Sequence, residues 1–481
     1  MKTILSLSLL ALKATADVNL TALYAGLSPA AEIIYTTDTD FTNGTTPRYT
    51  IYRPPRSYGT IIPATEADIQ HLVRTSVDNN IPFLATGAGH GITKTLGEFH
   101  FTNTGIIIDL SNFNTVELSP DNESITVGGG ATYGDAYEPM YSAGKMMAMG
   151  NSPCVGIVGA GLGGAVGMWQ GLYGLGIDSL LSVRMVTAAG ELVSVSATEN
   201  PDLFWAIRGA GANFGIVTDA TFRLHDVFNG GDVAMSFFRY HADRNGSVWR
   251  ALRGFDDDMP DLLAFNIAMS IDPDSREPFI AVQANYYGPA SEAAPYIQPF
   301  HAAAPFDVQE MVFSWPELQS YTHTVDPRNC APGQYMNEWS ISLRQTDVDT
   351  YIEYYNQLHA LWASEERYTG QTVIARFPNR VAREVGDDET AYPHRRAISH
   401  LLFENFYSDP ALDESINAWM PDVMGLFQGT SGFDELHVYG NFAQGNEGPE
   451  AWYGSNLDRL KELKRIWDPN GLFNYNNPIP V

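Results

Sequence analysis

Residues 154–171 read CVGIVGAGLGGAVGMWQG. The letters contain Gly159-x-Gly161-x-x-Gly164 after an apolar run, the spelling of a dinucleotide-binding turn. That turn needs a helix after its third glycine and an acid about twenty residues further on. Neither condition is met. Gly167, Gly171, Gly174 and Gly176 interrupt any long helix, and Asp178 follows Gly164 by only fourteen residues. What remains is a run of close backbone approaches without the nucleotide-binding crossover. Glycine is required where φ turns positive or where a flat ligand lies against the main chain, because a Cβ would collide there.

Three more glycine loops lie at 87–91, 128–130 and 209–215. The first sits in ATGAGHGIT (85–93), where His90 is the one reactive side chain among residues with almost none. A single loop of this kind is readily a tight turn in a β-rich domain. Four of them suit a long, flat, phosphate-bearing ligand, since backbone N–H groups in such loops form anion nests.

The flanking sequence supplies the frame. In YGTIIPATEADIQHLVRTSVDNNIPFLATG, a strand, a helix and a strand alternate. Thr65 can cap the helix with Asp68 three residues on, and Ile69, Leu72, Val73 and Val77 keep helical spacing. GIIIDL, TVELSP and SITVGGG follow as extended runs, with a helix beginning near Tyr133–Tyr137. SLLSVRMVTAAGELVSVS reads as two antiparallel strands turning at AAG. NPDLFWAIRGAGANFGIVTDATFRL reads as a helix, a glycine loop and a strand. Residues 51–228 therefore form a glycine-punctuated α+β unit, preceded by a segment at 17–50. Over 229–430 glycine thins out. Alternating runs such as LLAFNIAMSID, FIAVQANYY and TVIARF predict an antiparallel sheet, with helices such as DTYIEYYNQLHALWAS between them. Residues 431–481 change again: ELHVYGNF is expected to be a strand, NLDRLKELKRIWDPNG a helix, and the rest an asparagine-rich end.

Bulk properties narrow the function. A length of 481 residues suggests two domains. Fifty-six acids against 28 bases give a net charge of −28, which repels phosphate backbones and argues against nucleic-acid binding. The N-terminus carries Lys2, the apolar run ILSLSLLAL and the small-x-small stretch Ala14–Ala16, which reads as a secretory signal peptide over 1–16. No later stretch is long and apolar enough to span a bilayer. Asn-x-Ser/Thr sequons at Asn19, Asn43, Asn122 and Asn245 agree with a secreted glycoprotein. Cys154 and Cys330, the only cysteines, could form one bridge, or one could be a reactive thiol. No His/Cys/Asp cluster has metal-ligand spacing, and neither a G-x-S-x-G elbow nor a Walker A loop occurs.

In order along the chain, IPATEADI, TGAGHG, VGGGATYGD, SPCVGIVGAGLGGAVG, YGLGIDSLLSVRMVTAAGEL, NPDLFWAIRGAGANFGIVT and WDPNGLFNYNNPI resemble the FAD-linked oxidases of the vanillyl-alcohol-oxidase superfamily, in its berberine-bridge-enzyme-like branch. The resemblance implies an α+β fold. It has a PCMH-type FAD-binding domain of two subdomains, then a substrate domain whose large antiparallel sheet is backed by helices, then a C-terminal segment returning to the FAD domain. It implies FAD held by Thr86, Gly87, Ala88, Gly89, Gly91, Gly130, Gly150, Ser152, Gly156, Gly159, Gly163, Gly164, Asp178, Gly215, Ile216, Val217, Tyr475 and Asn477. It also implies a covalent bond from His90 to the flavin 8-methyl carbon. Gly89 and His90 match the family's R-x-G-G-H loop, while Thr86 stands for the basic residue and Ala88 for a glycine. Many members add a second link from a cysteine in C-P-x-V-G. Here Ser152 takes that place in SPCVG and Cys154 falls two residues late, so a single link is expected and Cys154 reads as a small buried hydrophobe. The catalytic base lies on a strand after P-H-R. Counting on from Pro393-His394-Arg395 points to Glu404, with His400 second. Tyr439 and Asn441 match Y-x-N-Y, but Phe442 lacks the closing hydroxyl.

The implied activity is hydride transfer from a small organic alcohol, phenol or amine to covalently bound FAD, with dioxygen as acceptor and hydrogen peroxide as product. Three readings compete: an oligosaccharide oxidase of the same fold, a dehydrogenase that excludes oxygen, and a non-catalytic flavin-binding glycoprotein. The sequence does not set the oligomeric state.

Overall fold

The run EADIQHLVRTSVDN forms the helix Glu66–Asn79 because its two ends are satisfied locally. Thr65 Oγ1 accepts from the Asp68 N–H at 3.2 Å, and Asp68 Oδ2 accepts from the Thr65 N–H at 2.9 Å. Its apolar face, Ile69, Leu72 and Val73, is buried against Ile61, Phe83, Ile106 and Ile108. Those residues come from a four-stranded sheet in the order Glu32–Tyr35, Gly59–Ile62, Ile106–Asp109, Phe83–Thr86. The last three strands are mutually parallel. This computed structural model describes residues 21–37 and 44–481. The signal-peptide stretch and the sequons at Asn19 and Asn43 lie outside the described residues.

A second sheet follows, antiparallel throughout, in the order Val116–Leu118, Ser124–Gly128, Ile216–Arg223, Leu180–Val186, Leu192–Ser196. The glycine stretch that spells a dinucleotide turn does not precede a long helix. It forms the seven-residue helix Ile157–Gly163, ended by Gly164 at φ +141°. No parallel strand–helix–strand crossover is built on it.

The third sheet has seven antiparallel strands: Asp307–Ser314, Asp232–His241, Pro278–Tyr286, Leu263–Ile271, Gln371–Arg376, Ser399–Phe406 and Met336–Leu343. Period-two alternation assigns its faces. Phe403 packs on Tyr354 and Phe427, at ring distances of 5.3 and 5.6 Å, from the helices Val348–Ser364 and Asp413–Gln428. Its neighbours Leu402 and Glu404 turn to the other face.

Two expectations fail here. ELHVYGNF is not a strand; only the turn Gly440–Phe442 is regular. The segment makes isolated bonds instead, Ser342 N–H to the His437 carbonyl at 2.8 Å and Val438 N–H to the Ala451 carbonyl at 3.0 Å. The sequon at Asn245 is closed to a glycan, because the side chain is 6% exposed and accepts the Trp249 indole N–H. The C-terminal region returns to the glycine loops. The buried Lys464 ammonium donates to Asp468 at 2.6 Å and to the carbonyls of Asn213 and Phe473 at 2.7 and 2.8 Å.

Candidate functional site

Between the glycine loops and the open face of the seven-stranded sheet lies a cavity of about 1080 Å³. Its two walls differ chemically. The glycine wall is made by Thr86–Thr93, Gly129, Gly150–Pro153, Val155, Gly156, Gly159 and Gly215–Val217. Among the described residues this wall carries no acid, and Arg48 is its cation. The sheet wall presents alternate residues of successive strands: Phe237 and Arg239, Asn266 and Ala268, Gln371 and Val373, Leu402 and Glu404.

The His90 loop leaves the C-terminal end of Phe83–Thr86. Gly89 takes φ +73°, and a Cβ there would stand 2.4 Å from the Pro47 carbonyl oxygen. A Cβ on Gly87 would meet the Gly129 carbonyl at 2.7 Å. The chain is thus pressed flat and His90 is left as the projecting group. Its ring stacks on Tyr49 at 4.0 Å. Its Nε2 lies 3.2 Å from the Asn329 carbonyl oxygen. A carbonyl only accepts, so Nε2 carries the proton and Nδ1 keeps its lone pair. Burial, assisted by the nearby Arg48, lowers the imidazole pKa and favours this neutral form.

Arg48 was not anticipated. Its guanidinium donates to the Gly91 carbonyl at 2.6 Å and to Thr86 Oγ1 at 3.4 Å. It brings a cation to the loop position where Thr86 lacks one. Burial lowers its pKa to about 10.

On the sheet wall, register pairs Glu404 directly with Glu338 on one side and Gln371 on the other. Gln371 Nε2 donates to Glu404 Oε2 at 2.7 Å and to Asp326 Oδ2 at 3.0 Å. Arg328 Nη2 donates to Gln371 Oε1 at 2.6 Å. Burial raises the Glu404 pKa to about 7, Asp326 adding to the rise against the opposing pull of Gln371 and Arg328. Burial and the facing Glu404 hold Glu338 well above the usual carboxylate range, so it stays protonated. Glu338, Gln371, Asp326 and Arg328 escaped the sequence reading. Only Glu338 left a trace, as a carboxylate in the apolar run MNEWSISL.

Of the residues expected at the cofactor, Thr86, Gly87, Ala88, Gly89, His90, Gly91, Gly150, Ser152, Gly156, Gly159, Gly215, Ile216 and Val217 line the cavity. Gly130, Gly163, Gly164, Asp178, Tyr475 and Asn477 do not, and each is packed or bonded against other parts of the protein. A Cβ on Gly130 would strike the Leu110 carbonyl at 2.2 Å, and one on Gly163 would strike Asn441. Gly164 backs onto Tyr392 and Tyr439. Asp178 grips the buried Arg395 in a two-point ion pair at 2.9 and 2.7 Å. The Tyr475 ring packs on Phe99 at 5.1 Å. Asn477 binds the Gly440 carbonyl at 2.6 Å and Thr93 at 3.0 Å.

Glu404 and Tyr439 line the cavity, and His400 does not. His400 shares the face of Glu404 but lies behind Tyr439 and Phe442, bound to Ser342 at 2.8 Å. Burial lowers its pKa to about 4. Tyr439 OH accepts from Asn441 at 2.6 Å and from the Val166 N–H at 3.4 Å. Cys154 is no lone hydrophobe, since it is disulfide-bonded to Cys330. No group of three or more His, Cys, Asp or Glu could hold a metal among the described residues.

The glycine wall fits FAD: flat backbone, a nucleophilic imidazole nitrogen, a cation and no acid. Comparison with known proteins agrees. The FAD binding domain model matches residues 58–196, and the berberine and berberine like model matches residues 438–480. The chain is 41% identical over 466 residues to FAD-linked oxidoreductase azaL of Aspergillus niger, covering 95% of this chain and 98% of the relative. It shares the fold of Physcomitrella patens BBE-like 1 at a TM-score of 0.81 and 23% identity, covering 96% and 98% of the two chains. It also shares the fold of the glucooligosaccharide oxidase of Acremonium strictum, which carries a 6-S-cysteinyl, 8α-N1-histidyl FAD, at a TM-score of 0.83 and 21% identity, covering 96% and 99%. The chain belongs to the berberine-bridge-enzyme-like family and is an FAD-linked oxidoreductase.

Proposed function

We propose that this enzyme is a secreted oxidase of small organic alcohols, phenols or amines, with FAD attached through His90 alone and Glu404 as catalytic base. The observation that carries this reading is the pair of opposed walls. His90 and Glu404 face one cavity from opposite sides, the imidazole kept neutral by burial and the carboxyl brought by burial to titrate near neutrality.

His90, with its proton on Nε2, offers Nδ1 to the cofactor. With FAD bound against the glycine wall, His90 Nδ1 would be the nitrogen available for covalent attachment. Bound FAD supplies the hydride acceptor for turnover. Glu404, titrating near neutrality, takes the substrate proton as hydride leaves. Glu338, protonated, adds no second charge beside it. Tyr439 offers a hydroxyl held by Asn441 for orienting the substrate oxygen. The Cys154–Cys330 bridge supports both the single link, since neither thiol is free, and export to an oxidising compartment.

Phe442 lines the cavity where the sugar-oxidising pattern has a tyrosine, which favours small organic substrates over oligosaccharides. The test is a panel of benzylic alcohols, phenols, amines and oligosaccharides, read by bleaching of the flavin band without oxygen and by peroxide release with it. Bleaching by a member of the first three classes supports the reading. Bleaching only by sugars overturns the substrate class, and bleaching with no peroxide release in oxygen overturns the oxidase assignment.

A further inference from the structure

Residues 326–330 touch both walls. At one end, Asp326 accepts from Arg328 Nε and Nη2 at 2.9 and 3.0 Å, and both residues bind Gln371, which donates to Glu404. Three residues on, the Asn329 carbonyl accepts a hydrogen bond from the protonated His90 Nε2. The next residue, Cys330, is covalently tied to Cys154 in the loop whose neighbours Pro153 and Val155 line the glycine wall. The segment is also fastened behind. Gln334 Nε2 donates to the carbonyls of Arg328 and Ala331 at 2.6 and 2.9 Å. The Gly333 and Gln334 N–H groups donate to the carbonyls of Arg48 and Tyr49 at 2.8 and 3.1 Å, and Tyr49 carries the ring stacked on His90.

We propose that residues 326–330 are a disulfide-anchored positioning strap that serves both walls at once. Asn329 selects the His90 tautomer that attaches the cofactor, and Asp326 with Arg328 orients Gln371 and, through it, Glu404. The proposal rests on the assignments of His90 and Glu404 above. It departs from a purely stabilising disulfide, which would raise stability by closing a long loop and leave the chemistry of His90 unchanged. A strap that slackens lets the imidazole turn and lose its fixed proton. Attachment then slows although the glycine wall still binds FAD.

The Glu404 end has its own signature. The charged and titratable groups around this carboxyl are Glu338 on the neighbouring strand, Asp326 and Arg328 on the strap, and Tyr49 beyond them. Removing the Asp326 charge takes away a like charge and releases Arg328, and both changes favour the ionised form of Glu404. Its titration midpoint therefore moves to lower pH.

The test compares holoprotein of the wild type, the double variant C154S/C330S and Asp326→Asn. Covalent flavin is read as the fraction retained in an acid-precipitated pellet, folding by thermal melting, and Glu404 by the pH titration of the protonated-carboxyl infrared band that Glu404→Gln lacks. In C154S/C330S the covalent fraction is expected to fall at least about five-fold, with FAD still present but released by acid. In Asp326→Asn, which keeps the disulfide, the covalent fraction should hold and the Glu404 midpoint should drop by about one pH unit. A C154S/C330S protein that melts lower but keeps the wild-type covalent fraction overturns the tautomer arm. An unmoved midpoint in Asp326→Asn overturns the Glu404 arm, even if the cysteine variant fails to fold. A wild type with no flavin in the pellet contradicts the His90 assignment instead, which separates failure of that reading from failure of the strap.

Discussion

The two walls of the cavity were written into the chain in different ways. The glycine wall comes from contiguous stretches, 86–93, 150–159 and 215–217, in which the backbone itself is the binding surface. The sheet wall comes from single residues on several strands, separated by up to 167 positions, from Phe237 to Glu404, and joined only by register. A backbone surface needs glycine at fixed places and is conspicuous in sequence. A side-chain surface needs only one polar residue per strand on the right face. The walls also differ in charge. In a chain of net charge −28, the wall offered to a diphosphate cofactor has no acid among the described residues, while the opposite side mixes Glu338, Glu404, Asp326 and Asp307 with Arg239, Arg276 and Arg328.

This contrast can be broken at either wall. The largest effect is expected on the sheet side. Glu404→Gln should lower the rate of flavin reduction by about 10²–10⁴-fold while leaving flavin content and covalent fraction intact, as read by stopped-flow reduction and pellet absorbance. Loss of flavin in that variant would mean that the walls are not separable.

The same carboxyl sets two pH dependences. Turnover at low substrate should rise through an apparent pKa of about 7 as Glu404 loses its proton. Stability should run the other way. Between the ordinary carboxyl value of 4.5 and about 7 the unfolded chain has released this proton and the folded chain has not. Folding is therefore progressively penalised across that window and evenly penalised above it. Glu404→Gln should then be more stable than the wild type above pH 7, by on the order of 3 kcal/mol, and no more stable below pH 4.5. Denaturant melts at pH 4 and pH 8 measure both ends.

On the glycine side, Gly89→Ala must adopt φ +73° with its Cβ against the Pro47 carbonyl. A cost of about 1–3 kcal/mol is expected, along with a reduced covalent fraction, while any flavin that does attach should react at nearly the wild-type rate. The smallest effect is expected from Phe442→Tyr, less than about ten-fold in kcat/KM on a small organic substrate. Peroxide release on oligosaccharides by this variant, equal to that on alcohols, would shift the substrate assignment toward sugars.

Much of the glycine wall was legible because its rule is steric. Gly87 and Gly89 have no room for a Cβ, and the sequence marks both positions by placing glycine there. A Cβ at Gly130, Gly163 and Gly164 would likewise meet protein atoms, but these glycines lie outside the cavity lining. Asp178 also lies outside the lining, paired with Arg395, which is 217 residues away in the chain. On the sheet wall only Glu404 was reachable, by counting from Pro393-His394-Arg395. Glu338 and Gln371 are its neighbours through strand register, which pattern alone does not reveal. ELHVYGNF alternates like a strand, yet Asn441 bonds to the Ala160 carbonyl in the glycine helix and Tyr439 to the Val166 N–H just beyond it, so it runs as an isolated extended segment.

The central claim is that one wall holds the cofactor through a single histidine and the other carries the chemistry. Its most direct measurement is acid precipitation of the purified protein, followed by non-reducing peptide mass spectrometry. The expected result is a yellow pellet with one flavin mass on the peptide containing His90, and Cys154 recovered in a disulfide with Cys330. A colourless pellet, or a flavin mass on the Cys154 peptide, would contradict it.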